Sequence, residues 1–446
     1  MNKTFFFYDL ETSGLKARED RIMQFAGQRT SMDLTSIGEP VNVLVKMTDD
    51  ALPSPGAINV TGITPQQTLA DGMNEAEFCR YVIEEIFVPG TVAVGYNTVR
   101  FDDEFMRAIL WRNFYDPYEW QWKDERSRWD MLDVVRLTRA LRPEGIEWPF
   151  TADGKPTNRL ELLTKLNGVK HEHAHDALSD VYATIAVAKL IRDCQPKLFE
   201  FLFRMRNKRD VQRLVNLEDP KPFVYASGRY SNEFNKTTVV LPIASGRNGN
   251  VLVYDLRYNL EELSGDSDRA NSNYFPVVKE LCYNKCPAVA PMGVLDSDNG
   301  WEKIGLTREL VERNMKILMS HPEFAEQVRM KHEERPEFPP AIEPEGALYD
   351  GFLDDTDRVK VSAVRNADVS RLADFHPEFH DPRLPELLLH YKGRNYPESL
   401  SESEVEAYEK YRTERLKRLA PRFMAELEKV TDDFVKQELI LYMQSL

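Results

Sequence analysis

The sequence predicts an α/β domain at the N-terminus, then a β-rich region, then a helical region. Three observations predict this order. Up to about residue 195, strand-like apolar runs alternate with stretches of helical spacing. From 196 to 346, short β-like runs are punctuated by Pro, Gly and Asn. From 347 to 446, apolar residues recur at helical intervals in charge-dense sequence. Domains over 1–195, 196–346 and 347–446 are therefore expected.

Thr4–Tyr8 is a short apolar run rich in aromatics, as in a buried strand. Gln24–Thr30, Val41–Lys46 and Thr91–Gly95 read as further strands. Asn74–Phe87 and Asp102–Trp111 have helical spacing. So does Ala174–Arg192, through Val181, Ile185 and Ala188. The pattern breaks at Gln195-Pro196. Pro222–Ala226, Thr237–Leu241 and Asn250–Leu256 are β-like, Arg308–Ser320 is helical, and Glu333–Gly346, rich in Pro and Glu, reads as a linker. Helices are expected over Asp354–Asn366, Arg383–Tyr391, Glu402–Leu419 and Pro421–Ser445.

Composition narrows the function classes. The formal charge is −15, which counts against coating nucleic acid by general positive charge. A groove for a polyanion must then be locally basic. No apolar run approaches the ~20 residues of a membrane span. The Phe5–Tyr8 run ends at Asp9 and Glu11, too soon for a signal-peptide core. A cytoplasmic, membrane-free protein is expected, monomeric, with Cys79, Cys194, Cys282 and Cys286 as reduced thiols.

Three motifs carry chemistry. Asp9 and Glu11 stand two apart, so in a strand both project from one face. Adjacent carboxylates repel unless a cation joins them, and hard oxygen ligands suit Mg²⁺ or Mn²⁺. A solvated strand end is the better account of the pair when it is taken alone, since acidic pairs at strand ends are common. Asn97 and Asp102 follow the Thr91–Gly95 run, at a strand end entering a helix, where open α/β sheets place ligands. Helix capping would also explain Asp102. Asp180 falls in a helix with an apolar stripe, and His175 stands at or before its start. An imidazole near a metal-binding carboxylate suits general-base work near neutrality. A surface His beside His171 and His173 is the bland alternative.

Asp-x-Glu, then Asp, then His-x₄-Asp resembles the DEDDh exonucleases of the ribonuclease-H-like superfamily. The resemblance implies that Asp9, Glu11, Asp102 and Asp180 hold two Mg²⁺ ions (with Mn²⁺ able to substitute) and that His175 is the base. Tyr replaces that His, one position later, in another branch; Asp176 stands there. Val60-Thr61-Gly62-Ile63-Thr64 resembles a loop that meets the terminal nucleotide, with Thr61 where proofreading members often carry His.

Longer strings resemble the bacterial exonuclease I family. They are Gly95-Tyr96-Asn97-Thr98-Val99-Arg100-Phe101-Asp102-Asp103-Glu104, Arg112-Asn113-Phe114-Tyr115-Asp116-Pro117-Tyr118, Leu141-Arg142-Pro143-Glu144-Gly145-Ile146 and Asn284-Lys285-Cys286-Pro287. That likeness implies an SH3-like β domain after the exonuclease domain and an α-helical C-terminal domain. It also implies processive 3′→5′ hydrolysis of single-stranded DNA to 5′-mononucleotides in DNA repair and recombination. Docking of the acidic C-terminal tail of single-stranded-DNA-binding protein and substrate contacts by Glu11 and Arg159 are further implications. A member acting on RNA ends, or a silent module that only binds strand or partner, are the competing readings.

Some substrate signal is independent of resemblance. Five of the six Trp lie between Trp111 and Trp148, among Arg107, Arg112, Arg126, Arg128 and Arg136. Aromatic faces stack unpaired bases and Arg neutralises phosphates. Tyr118 and Trp122 are the stacking candidates, and Trp111 is expected in the core. From Lys197 to Arg229, eight Lys/Arg stand against four Asp/Glu. This stretch is either a solvated face or a basic wall for the strand or an acidic peptide.

Overall fold

The protein was analysed as a computed structural model, which describes residues 3–169, 176–264, 277–335 and 341–446. Strand β1 (Thr4–Thr12) is the middle of the first sheet, and its residues explain why. Phe5 and Phe7 face one core, with Val181, Ile185 and Ala188. Phe6, Tyr8 and Leu10 face another, with Phe25, Phe78 and Ile109. A strand covered on both faces reads as a continuous apolar run.

The sheet order is β3-β2-β1-β4-β5, with β2 (Ile22–Thr30), β3 (Val41–Leu44), β4 (Thr91–Gly95) and β5 (Ser127–Asp130). β1 pairs antiparallel with β2 and parallel with β4, which pairs parallel with β5. Of the helices of eleven or more residues, α1 (Asp102–Arg112) follows β4 and α2 (Met131–Leu141) follows β5. α3 (Ala177–Cys194) crosses β1 and β2.

β1 runs four residues past the expected Thr4–Tyr8, because pairing of Asp9 with Ala26 and of Glu11 with Gln24 satisfies its backbone. Sequence reading missed β5 and α2 altogether. Ser-Arg-Trp-Asp offers no apolar run, and its charged members are buried by pairing rather than by hydrophobicity.

The second sheet is wholly antiparallel, ordered β10-β6-β7-β8-β9. Its strands are β6 (Phe223–Ala226), β7 (Thr237–Ser245), β8 (Val251–Asp255), β9 (Val278–Leu281) and β10 (Ala288–Pro291). α4 (Arg308–Met319) and α5 (Pro322–Glu333) follow it. The third part is α6 (Asp355–Arg365), α7 (Leu384–Asn395), α8 (Glu402–Leu427) and α9 (Asp433–Ser445).

Two expectations are corrected here. Pro421 does not end a helix; α8 passes through it. The lost hydrogen bond falls at Lys417 on the exposed face, where water serves, while Leu416, Leu419, Phe423 and Leu427 anchor both halves to one apolar cluster. The end of the expected linker is not solvated either: Pro344, Glu345 and Gly346 are buried.

A network of buried charges explains that burial. Arg21 lies 3.2 Å from Asp50 and 3.3 Å from Glu345. Arg394 lies 2.6 Å from Asp50 and 2.5 Å from Glu345. Arg415 pairs with both Glu343 and Glu345, and Arg112 meets Glu75 at 2.5 Å. Four guanidinium groups thus face four carboxylates. They join the N-terminal sheet domain, the segment before α6, and helices α7 and α8.

Candidate active site

Four carboxylates converge where β1 meets α3 and α1. Asp9 and Glu11 share the Phe5/Phe7 face of β1, over which α3 crosses. Asp180 stands in the first turn of α3, whose N-cap Asp176 accepts the Ser179 N–H at 3.0 Å. Asp9, Glu11 and Asp180 each offer an oxygen within 4.8 Å of the others. Asp102 begins α1 and is buried.

The turn leading to Asp102 is tight. A Cβ on Gly95 would sit 2.0 Å from Thr98 Cγ2 and 2.9 Å from the Tyr8 carbonyl, so β4 can approach β1 there only with glycine. Asn97 takes the left-handed conformation, with φ 71°. Behind the site, the Tyr8 hydroxyl donates to Asp103 at 2.6 Å, and Arg128 pairs with the same carboxylate. Arg128 also donates to the Asn284 carbonyl at 2.7 Å. Sequence reading missed this chain, although it had picked out the Asn284–Pro287 string that forms its far end.

The electrostatics are one-sided. Burial, then Asp102, Asp180 and Asp176, hold Asp9 well above the usual carboxylate range. Burial and the charges of Asp9, Asp180 and Asp176 push Glu11 up to about 9. Burial and Asp103 raise Asp102, opposed by its own N–H and that of Leu10. Crowded hard oxygen donors, Glu11 and Asp102 buried and Asp9 and Asp180 half-buried, fit divalent cations, which would remove the repulsion.

One other group with metal-ligand spacing occurs among the described residues: Asp354, Asp357 and His380. Its acids are already matched. Asp354 caps α6 and meets His380 Nδ1 at 2.8 Å. Asp357 accepts the His380 and Asp381 N–H groups at 3.0 and 2.7 Å and faces the Lys360 ammonium at 3.7 Å.

His175 lies outside the described residues, as do His171 and His173; the chain resumes at Asp176. A groove of about 460 Å³ meets the turn that leads to Asp102, lined by Tyr96, Asn97, Arg136, Arg159, Asn232 and Lys236. Arg159 is exposed there, and Arg136 pairs with Asp133. Arg107 is buried, donating to Glu104 at 2.7 Å and Gln121 at 2.9 Å, and lies 5.7 Å from the Tyr118 ring centre. Tyr118 is half-buried beside Tyr349 and Phe352, while Trp122 is 64% exposed. Trp111 is in the core, its Nε1 donating to the Pro344 carbonyl at 2.9 Å. In the basic stretch, Lys208, Arg209 and Arg213 are exposed and Arg206 lies on the Phe203 ring. No helix among the described residues is long and apolar enough to cross a membrane.

Comparisons with known proteins agree along the chain. Residues 6–188 match the family model described as Exonuclease, 206–334 the Exonuclease I SH3-like domain, and 342–443 the Exonuclease I C-terminal domain. Exodeoxyribonuclease I of Escherichia coli is 41% identical over 424 residues, covering 92% of this chain and 89% of that one. The crystal structure of E. coli Exonuclease I in complex with a dA16 oligonucleotide matches with a TM-score of 0.92 at 38% identity, covering 100% of this chain and 99% of that one. A crystal structure of SSB/Exonuclease I in complex with an inhibitor matches with a TM-score of 0.89 at 38% identity, covering 100% and 99%. Likeness of this extent reaches all three parts of the fold, including the SH3-like sheet and the C-terminal helices, so the chain belongs to the exonuclease I family.

Proposed function

We propose that this protein removes nucleotides one at a time from the 3′ end of single-stranded DNA, releasing 5′-mononucleotides, in DNA repair and recombination. The observation that carries the reading is the convergence of Asp9, Glu11 and Asp180 on one another, with Asp102 beside them. DNA is favoured as substrate by the likeness to the E. coli relative, an exodeoxyribonuclease whose structure holds a dA16 oligonucleotide.

Asp9, Glu11 and Asp180 would hold one Mg²⁺, and Asp9 with Asp102 would help hold a second. Bound there, the two ions would acidify water and neutralise charge at the phosphodiester and the leaving 3′ oxygen. The strand geometry fixes Asp9 and Glu11 in place. His175 takes the proton of the attacking water. Arg159 and Arg136 steady the phosphates, Tyr118 and Trp122 stack bases, and Glu11 contacts the terminal nucleotide; Arg107, buried with its guanidinium taken by Glu104 and Gln121, braces the Tyr118 ring rather than meeting a phosphate. The likeness to the SSB/Exonuclease I structure supports a docking role for the tail of single-stranded-DNA-binding protein, with the basic Lys197–Arg229 stretch as a candidate wall.

The test is digestion of a 5′-labelled single strand with Mg²⁺ and with chelator. The expected result is a ladder shortening from the 3′ end with metal only. Cleavage in chelator, internal cuts, or faster turnover of a matched RNA would overturn the assignment. Trp122→Ala is expected to weaken binding of a dT oligonucleotide by about 1–3 kcal/mol, one base stack. The melting temperature should not move, since the ring is exposed. Fluorescence anisotropy in chelator measures the first quantity and a thermal melt the second.

A further inference from the structure

The turn that delivers Asp102 is held by a carboxylate that no step above uses. Asp130 ends β5 and is buried. Its Oδ1 accepts the N–H groups of Asn97 and Leu132, each at 2.9 Å. Its Oδ2 accepts the N–H of Val99 at 3.1 Å. Two of these three donors belong to the turn between β4 and α1. That turn needs a hold, since Asn97 is a non-glycine residue in the left-handed region at φ 71°. Val99 is buried, so its N–H would otherwise lack a partner.

Arg128 stands two residues before Asp130, on the same face of β5. It pairs with Asp103, the neighbour of Asp102. β5 thus grips the start of α1 on both sides of Asp102, through the turn before it and the residue after it. Both oxygens of Asp130 are taken by backbone donors, so it serves as an anchor rather than as a ligand.

We propose that Asp130 is a positioning residue: by fixing the Asn97–Val99 turn it holds Asp102 within reach of Asp9, and so sets the site of the second cation. The inference rests on the two-cation reading above. Asp130 has a second, purely structural task, since its bond to Leu132 caps α2. The two tasks can be separated. Asp130→Ser keeps a good cap, because a serine hydroxyl accepts from the first turn of a helix, but it cannot reach both turn donors. Asp130→Asn keeps one acceptor oxygen and turns an amide toward the other donors.

Calorimetric titration of Mn²⁺ into the DNA-free protein reads the effect directly. The wild type is expected to take up two ions. Asp130→Ser is expected to bind the first as the wild type does and the second at least tenfold more weakly. Its kcat on single-stranded DNA should fall at least tenfold with KM unchanged, and its melting temperature in chelator should fall only modestly, as the turn's unpaired buried N–H requires. Asp130→Asn should show the same weakened second site. An unaltered two-ion isotherm and kcat in either folded variant would overturn the proposal. So would loss of melting temperature together with both sites in both variants, the mark of a structural residue. A wild type that takes up no Mn²⁺ would instead sink the two-cation reading, a failure distinct from that of an unaltered variant.

Discussion

Asp9→Asn is expected to lower single-strand hydrolysis by about 10³-fold or more, which is ~4 kcal/mol of barrier, while raising the melting temperature in chelator. The two effects share one cause. Asp9 is the acid common to both proposed cation sites, and the charges of Asp102, Asp180 and Asp176 converge on it. Without metal its charge is a burden on the fold. A carboxyl raised in the folded state contributes stability below its unfolded pKa and loses it as pH rises through the folded value. Glu11, raised to about 9 partly by Asp9, gives the metal-free protein a decline in stability from about pH 5 to 9. Asparagine keeps the shape and removes the charge, so the variant should melt higher in chelator and show a shallower decline. Adding Mg²⁺ should stabilise the wild type and not the variant. Melts across pH with and without Mg²⁺, beside a gel assay, test this. A variant that melts lower in chelator, or keeps more than a hundredth of the activity, contradicts the account.

What the sequence disclosed follows from which forces leave a pattern in it. Hydrophobic burial does: apolar runs bounded by turn residues mark β4 at Thr91–Gly95 and the cores of β6, β7 and β8. The carboxylates were legible for a different reason. Asp9, Glu11 and Asp102 interrupt or follow apolar runs, where a charge needs a cause. Polar burial leaves no such pattern. β5 reads as two charged residues around one Trp, and only contacts with Asp103, Asn97 and Val99, distant in sequence, bury Arg128 and Asp130. The Pro/Glu-rich run at 343–346 looks solvated for the same reason, since the arginines that neutralise Glu343 and Glu345 lie in helices α7 and α8 and before β2. Trp111 and Trp122 are told apart by place rather than composition: Trp111 falls on the apolar-spaced helix that starts at Asp102 and is buried, whereas Trp122 lies in a segment of weak periodicity and is exposed.

Glu345→Gln is expected to destabilise the protein by about 3–5 kcal/mol, the usual result of removing one partner from a buried ion pair. Glu345 faces Arg21, Arg394 and Arg415, and all four side chains are essentially inaccessible to solvent. Glutamine fills the space but leaves three guanidinium groups sharing Asp50 and Glu343. Replacing the whole cluster by apolar residues could be neutral, but removing a single charge is not. Because these pairs bridge the N-terminal domain and helices α7 and α8, the loss should first loosen the C-terminal helices. Trypsin should cut the variant after residue 346 at denaturant concentrations where the wild type resists. Acid should reproduce the effect. Burial acts against the charged forms of Asp50 and Glu75, but the arginines win, holding Asp50 well below the usual range and Glu75 at about 2. Carboxyls depressed in this way contribute stability above their unfolded pKa and lose it as pH falls toward the folded value. The wild type should therefore lose stability between about pH 4.5 and 2, with a smaller loss once Glu75 is replaced by Gln. Urea melts over that range decide the matter: if stability is flat below pH 4.5, or if Glu345→Gln costs less than ~1 kcal/mol, the network does not hold the parts together.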